Sequence, residues 1–177
     1  MSRPPDANLA AIFTAAFRRH PAGVTVITAR GPEGPVGFTA SSVASVSLNP
    51  VALSFSLART TRSAHVILTA DSFVVHLLAA HQVAVAKAFA QPDGPRFSGE
   101  QEWSTLPTGE PVLRGAPAAL RCRALHHVPV GDSTLVVAEV LDIRRDPAEH
   151  PALAYYRRRY RIIDDTTPIP GDSAEDG

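Results

Sequence analysis

Apolar and polar residues alternate along the chain with two periods. Leu9, Ile12, Phe13, Ala16 and Phe17 recur at i, i+3, i+4, i+7 and i+8 and predict an amphipathic helix, which Pro21 and Gly23 end. Residues 24–29 then alternate as a strand, and GPEGPVG at 31–37 reads as proline-broken turn material. The next stretch, VGFTASSVASVSLNP at 36–50, has the period of a strand. Phe38, Ala40, Ala44, Val46 and Leu48 fall on one face; Thr39, Ser41, Ser45 and Ser47, with Val43, fall on the other. Successive strand side chains point to opposite faces, so this pattern predicts one apolar wall and one wall of small hydroxyls. After Asn49-Pro50, the apolar run 51–57 reads as a strand buried on both faces.

Residues 60–70 predict a helix with Thr60 or Thr61 as N-cap and Ala64, Ile67 and Leu68 inward. Residues 73–79 predict a strand, and 81–91 a helix with Val85, Ala88 and Phe89 inward. The polar, Gly/Pro-rich section 92–111 is longer than most loops of a compact domain, and such loops are usually functional or mobile. Long strands over 118–130 and 133–143 flank Gly131-Asp132, which suits a tight hairpin turn, and LAYYRRRYRII at 152–162 reads as a final strand. Many strands, few helices and no regular strand–helix alternation predict a mainly β domain, a barrel or sandwich with a few peripheral helices. Residues 1–8 read as a disordered leader, 9–163 as one domain and the acidic, proline-rich 164–177 as a disordered tail.

Composition narrows the function classes. A chain of 177 residues suits one domain, and a formal net charge of zero gives no field for nucleic acid or an anionic membrane. No apolar run approaches the ~20 residues of a spanning helix, and the N-terminus lacks an apolar signal core, so a cytoplasmic location is expected. Cys122 is the only cysteine and shares a strand face with Leu120 and Ala124, which reads as a buried core thiol rather than a nucleophile.

Four features could carry chemistry. The hydroxyl face of 36–50 has no charged residue between Glu33 and Arg59, unlike an ordinary exposed strand face, and would let a flat ligand approach the backbone. In SLARTTRS, 56–63, a strand end leads into a helix opened by Arg62 and Ser63, an arrangement suited to a phosphate as well as to plain N-capping. The adjacent His126 and His127 would point to opposite strand faces, which does not chelate one ion, and no metal site is expected. Tyr155, Tyr156 and Tyr160 sit among Arg157, Arg158, Arg159 and Arg161, either as a solvated edge strand or as a cationic rim for an anionic ligand. No nucleophile–base dyad or paired carboxylates stand out, so no protein catalytic residue is expected.

The runs FRRHPAGVTVIT, VGFTASSVASVSLNP, SFSLARTTRSAHVI, FVVHLLAAHQVAVAKAFA, RFSGEQEW, GDSTLVVAEV and YYRRRYR, in this order, resemble the short-chain flavin reductases, over roughly residues 9–162. The resemblance implies an FMN-binding split β-barrel of Greek-key type, a homodimer with flavin near the interface, NAD(P)H as reductant, and delivery of reduced flavin to a partner monooxygenase. By this resemblance, Gly37, Phe38, Thr39, Ser41 and Ser42 would line the isoalloxazine and ribityl chain. Ser56, Leu57 and Ala58 would form the next flavin-contacting turn, and Arg62 and Ser63 would meet the phosphate. Phe89 would approach the adenylate half of FAD, and Phe97 would sit in a loop closing near the flavin. On the nicotinamide side, Ser133 stands where many relatives carry histidine, His127 is its neighbour in sequence, and Tyr156 and Arg157 match the segment approaching the dinucleotide. FAD, with FMN as alternative, and NADH, with NADPH as alternative, are the expected cofactor and co-substrate. A non-catalytic flavin carrier of the same fold is the competing expectation, and a purely structural β-domain with an exposed Ser/Thr face is the third.

Overall fold

A computed structural model of the chain describes residues 6–60 and 62–164, and of Arg62 only the backbone. Residues 1–5 of the expected leader and 165–177 of the expected tail lie outside the described residues. Helix α1 spans Ala7–Phe17 and starts inside the expected leader, because the Asp6 carboxylate accepts the Asn8 and Leu9 N–H groups at 3.0 and 3.2 Å. Strands β1 (Ala22–Gly23), β2 (Thr25–Gly31), β3 (Gly34–Ala40), β4 (Ala44–Leu48) and β5 (Val51–Ala58) follow, then helix α2 (Arg62–Thr69) and strand β6 (Phe73–Leu77). A single 3₁₀ turn precedes α3 (Val83–Ala90). The rest is β: β7 (Trp103–Thr105), β8 (Pro111–Leu113), β9 (Ala118–Val130), β10 (Ser133–Arg145), β11 (Ala152–Tyr156) and β12 (Arg159–Ile163).

Seven strands form one antiparallel sheet in the order β3-β2-β6-β9-β10-β5-β4. Its two edges, β3 and β4, are consecutive in the chain, so residues 41–43 draw the edges of the sheet together. The seam is closed by side chains and not by a ladder. Ser42 Oγ accepts the Ser56 N–H at 2.9 Å across it, and the Phe38 and Phe55 rings stand 6.3 Å apart. This is a split barrel. Both faces of β2 are covered: Ile27 joins Phe55, Phe73 and Ile67 inside the curl, while Val26 joins Val85, Phe89 and Leu153 beneath α3. No helix among the described residues is long and apolar enough to cross a membrane.

Several expectations need correction. The stretch 36–50 is two strands, not one, broken at residues 41–43; the Ser42 hydroxyl takes over the hydrogen bonding that a ladder would supply, which lets the chain leave the sheet plane there. Only Pro32 and Glu33 form the turn expected over 31–37; residues 34–37 already belong to β3, where Pro35 is tolerated because β3 is an edge strand. Strand β5 is not buried on both faces: Leu53, Phe55 and Leu57 point inward, while the serines between them look outward. The section 92–111 is not a bare loop, since β7 and β8 pair within and just beyond it.

The final strand is a hairpin. β11 pairs with β12 around Arg157 and Arg158, both at positive φ (49° and 62°), a turn that the sequence hides because neither residue is Gly or Asn. Helix α1 has its expected apolar stripe, yet none of its residues is buried; Leu9, Ile12, Phe13 and Phe17 are 58–64% exposed.

Candidate functional site

A cleft of about 670 Å³ opens at the seam of the split barrel. The end of β3 supplies Phe38, Thr39 and Ala40; the 41–43 crossing supplies Ser41 and Ser42; the end of β5 supplies Ser56, Leu57 and Ala58. Ser63, in the first turn of α2, and Phe89, at the end of α3, complete the sides, and Ser133 faces them from the start of β10. The break in the hydroxyl-rich stretch therefore gathers the residues that one straight strand would have spread along a wall.

Most of these hydroxyls have partners within the protein. Thr39 Oγ1 donates to the Ala86 carbonyl at 2.7 Å, tying β3 to α3, and Ser63 Oγ donates to the Gly37 carbonyl at 3.1 Å, tying α2 to β3. Gly37 itself lies behind the cleft, and the Phe89 ring occupies the space where a side chain would be. Ser133 is half-buried, and its hydroxyl donates to Asp132 at 3.3 Å. The tip of that hairpin is braced by Arg59, whose backbone N–H donates to the Asp132 carbonyl at 3.0 Å and whose guanidinium donates to the Gly131 carbonyl.

Sequence reasoning missed Ala40, Thr60, Ala90, Pro92 and Arg96 of the lining. Arg96 matters most. Its guanidinium donates to the Gln91 carbonyl, while its Nε is buried with no partner among the described residues. A buried, unsatisfied donor on a permanent cation is costly unless an anion completes it. The only signal available in sequence was a lone cation in the polar section after α3. The hydroxyls, the flanking rings and Arg96 together suit a planar polar ring system carrying a phosphate. Among the described residues, no carboxylate or imidazole lines the cleft.

The remaining expected residues lie elsewhere. Phe97, at φ 55°, packs edge-on to Phe89 with centroids 5.0 Å apart and backs the cleft rather than lining it. Trp103 closes this cluster 5.3 Å from Phe89 and meets the buried His76 ring edge-on at 5.5 Å. His127 is exposed on β9 opposite Val136, away from the lining. Tyr156 and Arg157 stand at the tip of the β11–β12 hairpin, and Arg157 lines a second groove that shares Ser41 and Ser42 with the cleft. The Arg62 side chain lies outside the described residues; its backbone opens α2. Cys122 is a core thiol, fully buried, and burial pushes it up to about 12.

The model of the flavin reductase like domain matches residues 17–164. An NADH:FMN oxidoreductase of Rhodococcus erythropolis is 44% identical over 151 residues, which cover 84% of this chain and 79% of that protein. Among solved structures, the NADH:FAD oxidoreductase SgcE6 of Streptomyces globisporus, in complex with NAD and FAD fragments, superposes with a TM-score of 0.83 at 27% identity, covering 94% of this chain and all of that one. BorF, the flavin reductase component of a bacterial two-component tryptophan halogenase, superposes with a TM-score of 0.79 at 30% identity, covering 88% of this chain and 99% of that one.

Proposed function

Because the chain belongs to the flavin reductase like family, we propose that it is an NADH-dependent flavin reductase whose substrate ring occupies the seam cleft. The observation that carries this reading is the cleft's make-up: small hydroxyls and backbone on two sides, an aromatic flank at Phe89, and Arg96 with its buried Nε unpartnered among the described residues. Ser56, Ser41 and Ser42 would meet the polar edge of the ring and its side chain, and Arg96 with the N-terminal turn of α2 would hold the phosphate. When bound, the flavin supplies the redox chemistry, taking up a hydride from the reduced nicotinamide.

The protein's task is then position rather than proton transfer. Among the described residues that line the cleft there is no carboxylate or imidazole, and the walls are fixed to one another by Thr39, Ser42 and Ser63. Ser133, held by the Arg59 brace, would face the carboxamide of the incoming dinucleotide as a neutral hydrogen-bonding group. The relative from Rhodococcus takes FMN by its name and SgcE6 takes FAD, so both flavins are candidate substrates.

Exposed apolar side chains on the sheet, Leu48 at 89% and Val46 on β4 and Val130 at 61% and Val128 on β9, support a homodimer. The kinship with BorF supports a partner oxygenase or halogenase that receives reduced flavin, in the cytoplasm. The test is steady-state oxidation of NADH and NADPH by the purified chain with FMN or FAD. Saturable, flavin-dependent turnover is expected. Tight stoichiometric flavin without oxidation of either nucleotide would instead identify a carrier.

A further inference from the structure

We propose that Gln101 is a positioning residue of the seam cleft: its side-chain amide fixes the peptide unit between Pro95 and Arg96 and so presents the Arg96 guanidinium to the phosphate of a bound flavin. The tether stands on the geometry of residues 91–103; its consequence for the ligand rests on the function proposed above.

Residues 91–97 leave the end of α3 and turn back to the cleft as a tight loop. The Arg96 N–H donates to the Gly94 carbonyl at 2.8 Å, and the Arg96 guanidinium donates to the Gln91 carbonyl. Gly94 is pressed so closely on α3 that an added Cβ would stand 1.9 Å from the Ala88 carbonyl oxygen, a space that only glycine fits. On the other side of Arg96, the Phe97 ring is set against Phe89 and Trp103, with centroids 5.0 and 4.9 Å away. Arg96 is thus held between two anchors. It has no acidic partner among the described residues, and its buried Nε has no partner there either.

Gln101 adds a further hold. Its Nε2 donates to the Pro95 carbonyl at 2.9 Å, and its Oε1 accepts the Trp103 indole N–H at 2.8 Å. An indole N–H can only donate and a backbone carbonyl can only accept, so the amide has one orientation here. An ionised glutamate would offer Pro95 no donor, and a lysine would offer the indole no acceptor. The Pro95 carbonyl and the Arg96 N–H belong to one planar peptide unit. Gly94 binds one side of that plane and Gln101 the other, which fixes the point from which the arginine side chain starts. A charged group that is already in place loses less freedom when its ligand arrives, and the difference appears as affinity. Gln101 does not itself line the cleft. An effect passed through Trp103 and Phe89 would reach the flavin ring, whereas an effect passed through Arg96 reaches only the phosphate.

The test is equilibrium binding of FMN and of riboflavin to the purified full chain, followed by flavin fluorescence. Gln101→Met keeps the length of the side chain and removes both of its hydrogen bonds. It should weaken FMN by about 2- to 10-fold, the span of one lost hydrogen bond, and leave riboflavin at the parent value, which also reports that the variant is folded. Trp103→Phe keeps an aromatic ring beside Phe97 and removes the N–H that orients the amide; it should weaken FMN by about two-fold or more relative to riboflavin. In an Arg96→Gln background, Gln101→Met should change nothing further. Unchanged FMN affinity in Gln101→Met, an equal loss of FMN and riboflavin, or additional weakening of FMN in the double variant overturns the proposal. An Arg96→Gln chain that binds FMN as tightly as the parent would be a failure of the phosphate reading itself, and it overturns the proposal with it. Absence of NADH oxidation would be a failure of the proposed reductase activity alone, since none of these binding measurements uses the nucleotide.

Discussion

Gly37 lies so close to the Phe89 ring that the ring fills the space a side chain at position 37 would need. A Cβ added to Gly37 would stand 2.7 Å from Phe89 Cε1 and 2.9 Å from the Ile27 carbonyl oxygen. The ring could turn aside but the β2 backbone could not. Gly37→Ala should therefore cost about 1–3 kcal/mol in stability and raise KM for flavin, because Phe89 is displaced into the cleft. Chemical denaturation and flavin-dependent kinetics on one preparation read both effects. Wild-type values for both would show that the contact does not shape the site.

Arg96 separates binding from chemistry. Removing a charged partner of a phosphate costs about 1.5–3 kcal/mol, so Arg96→Gln should raise KM for flavin by about 10- to 100-fold with kcat little changed. Riboflavin, which has no phosphate, should be used equally by the variant and the parent. A loss confined to kcat would mean that Arg96 acts in some other way.

The β11–β12 tip should be a stability gain waiting in the fold. Replacing Arg157-Arg158 with Asn-Gly relieves two residues at positive φ, and about 1 kcal/mol corresponds to a rise in Tm of about 2–4 °C for a chain of this size. A calorimetric Tm that does not rise would mean that the arginines are held by contacts worth as much as the strain.

His76 makes stability depend on acidity. Its Nδ1 donates to the Val26 carbonyl at 2.9 Å, and its Nε2 accepts the Leu113 N–H at 3.1 Å, so the neutral ring fastens β8 to β2. Burial pushes its pKa down from 6.5 to about 4, against the raising effect of the Val26 bond. Between those values the unfolded chain takes a proton that the folded chain refuses. Stability should thus fall as pH drops from 6.5 to about 4, by a total of about 3 kcal/mol, and this contribution should be flat above and below. His76→Gln should lower Tm at neutral pH and flatten that window. An unchanged pH profile in the variant would contradict the assignment.

Glu110 acts at lower pH. It is buried, which alone would raise its pKa, but donation from Ser72, Thr108 and Arg121 outweighs burial and lowers it to about 2. Its contribution should be complete above 4.5 and lost as pH falls toward 2. Glu110→Gln should cost about 3–5 kcal/mol, since it leaves the half-buried Arg121 guanidinium without its carboxylate, which lies at 2.8 Å. Urea denaturation at neutral pH measures it.

Much of this architecture was legible in the sequence. The long strands β9 and β10 and their Gly131-Asp132 turn follow from period-2 alternation and one turn signal, and the inward face of α3 from helical spacing. The chain breaks at 41–43 and 157–158 were not legible. The first rests on a contact distant in sequence, Ser42 with Ser56 across the seam, and the second on two arginines at positive φ, which their residue type does not announce. Arg96 was invisible because its significance lies in a missing partner, and composition does not record burial. The hydroxyl-rich stretch did point to the cleft, although by folding around it rather than forming one wall of it.

The central claim is that the seam cleft presents a flavin to reduced nicotinamide. Anaerobic mixing of the purified chain with oxidised flavin and NADH tests it most directly, followed through the visible absorbance of the oxidised ring. The account predicts bleaching at a rate proportional to protein and saturating in flavin, slowed at limiting flavin by Arg96→Gln. Bleaching no faster than in protein-free solution would contradict it.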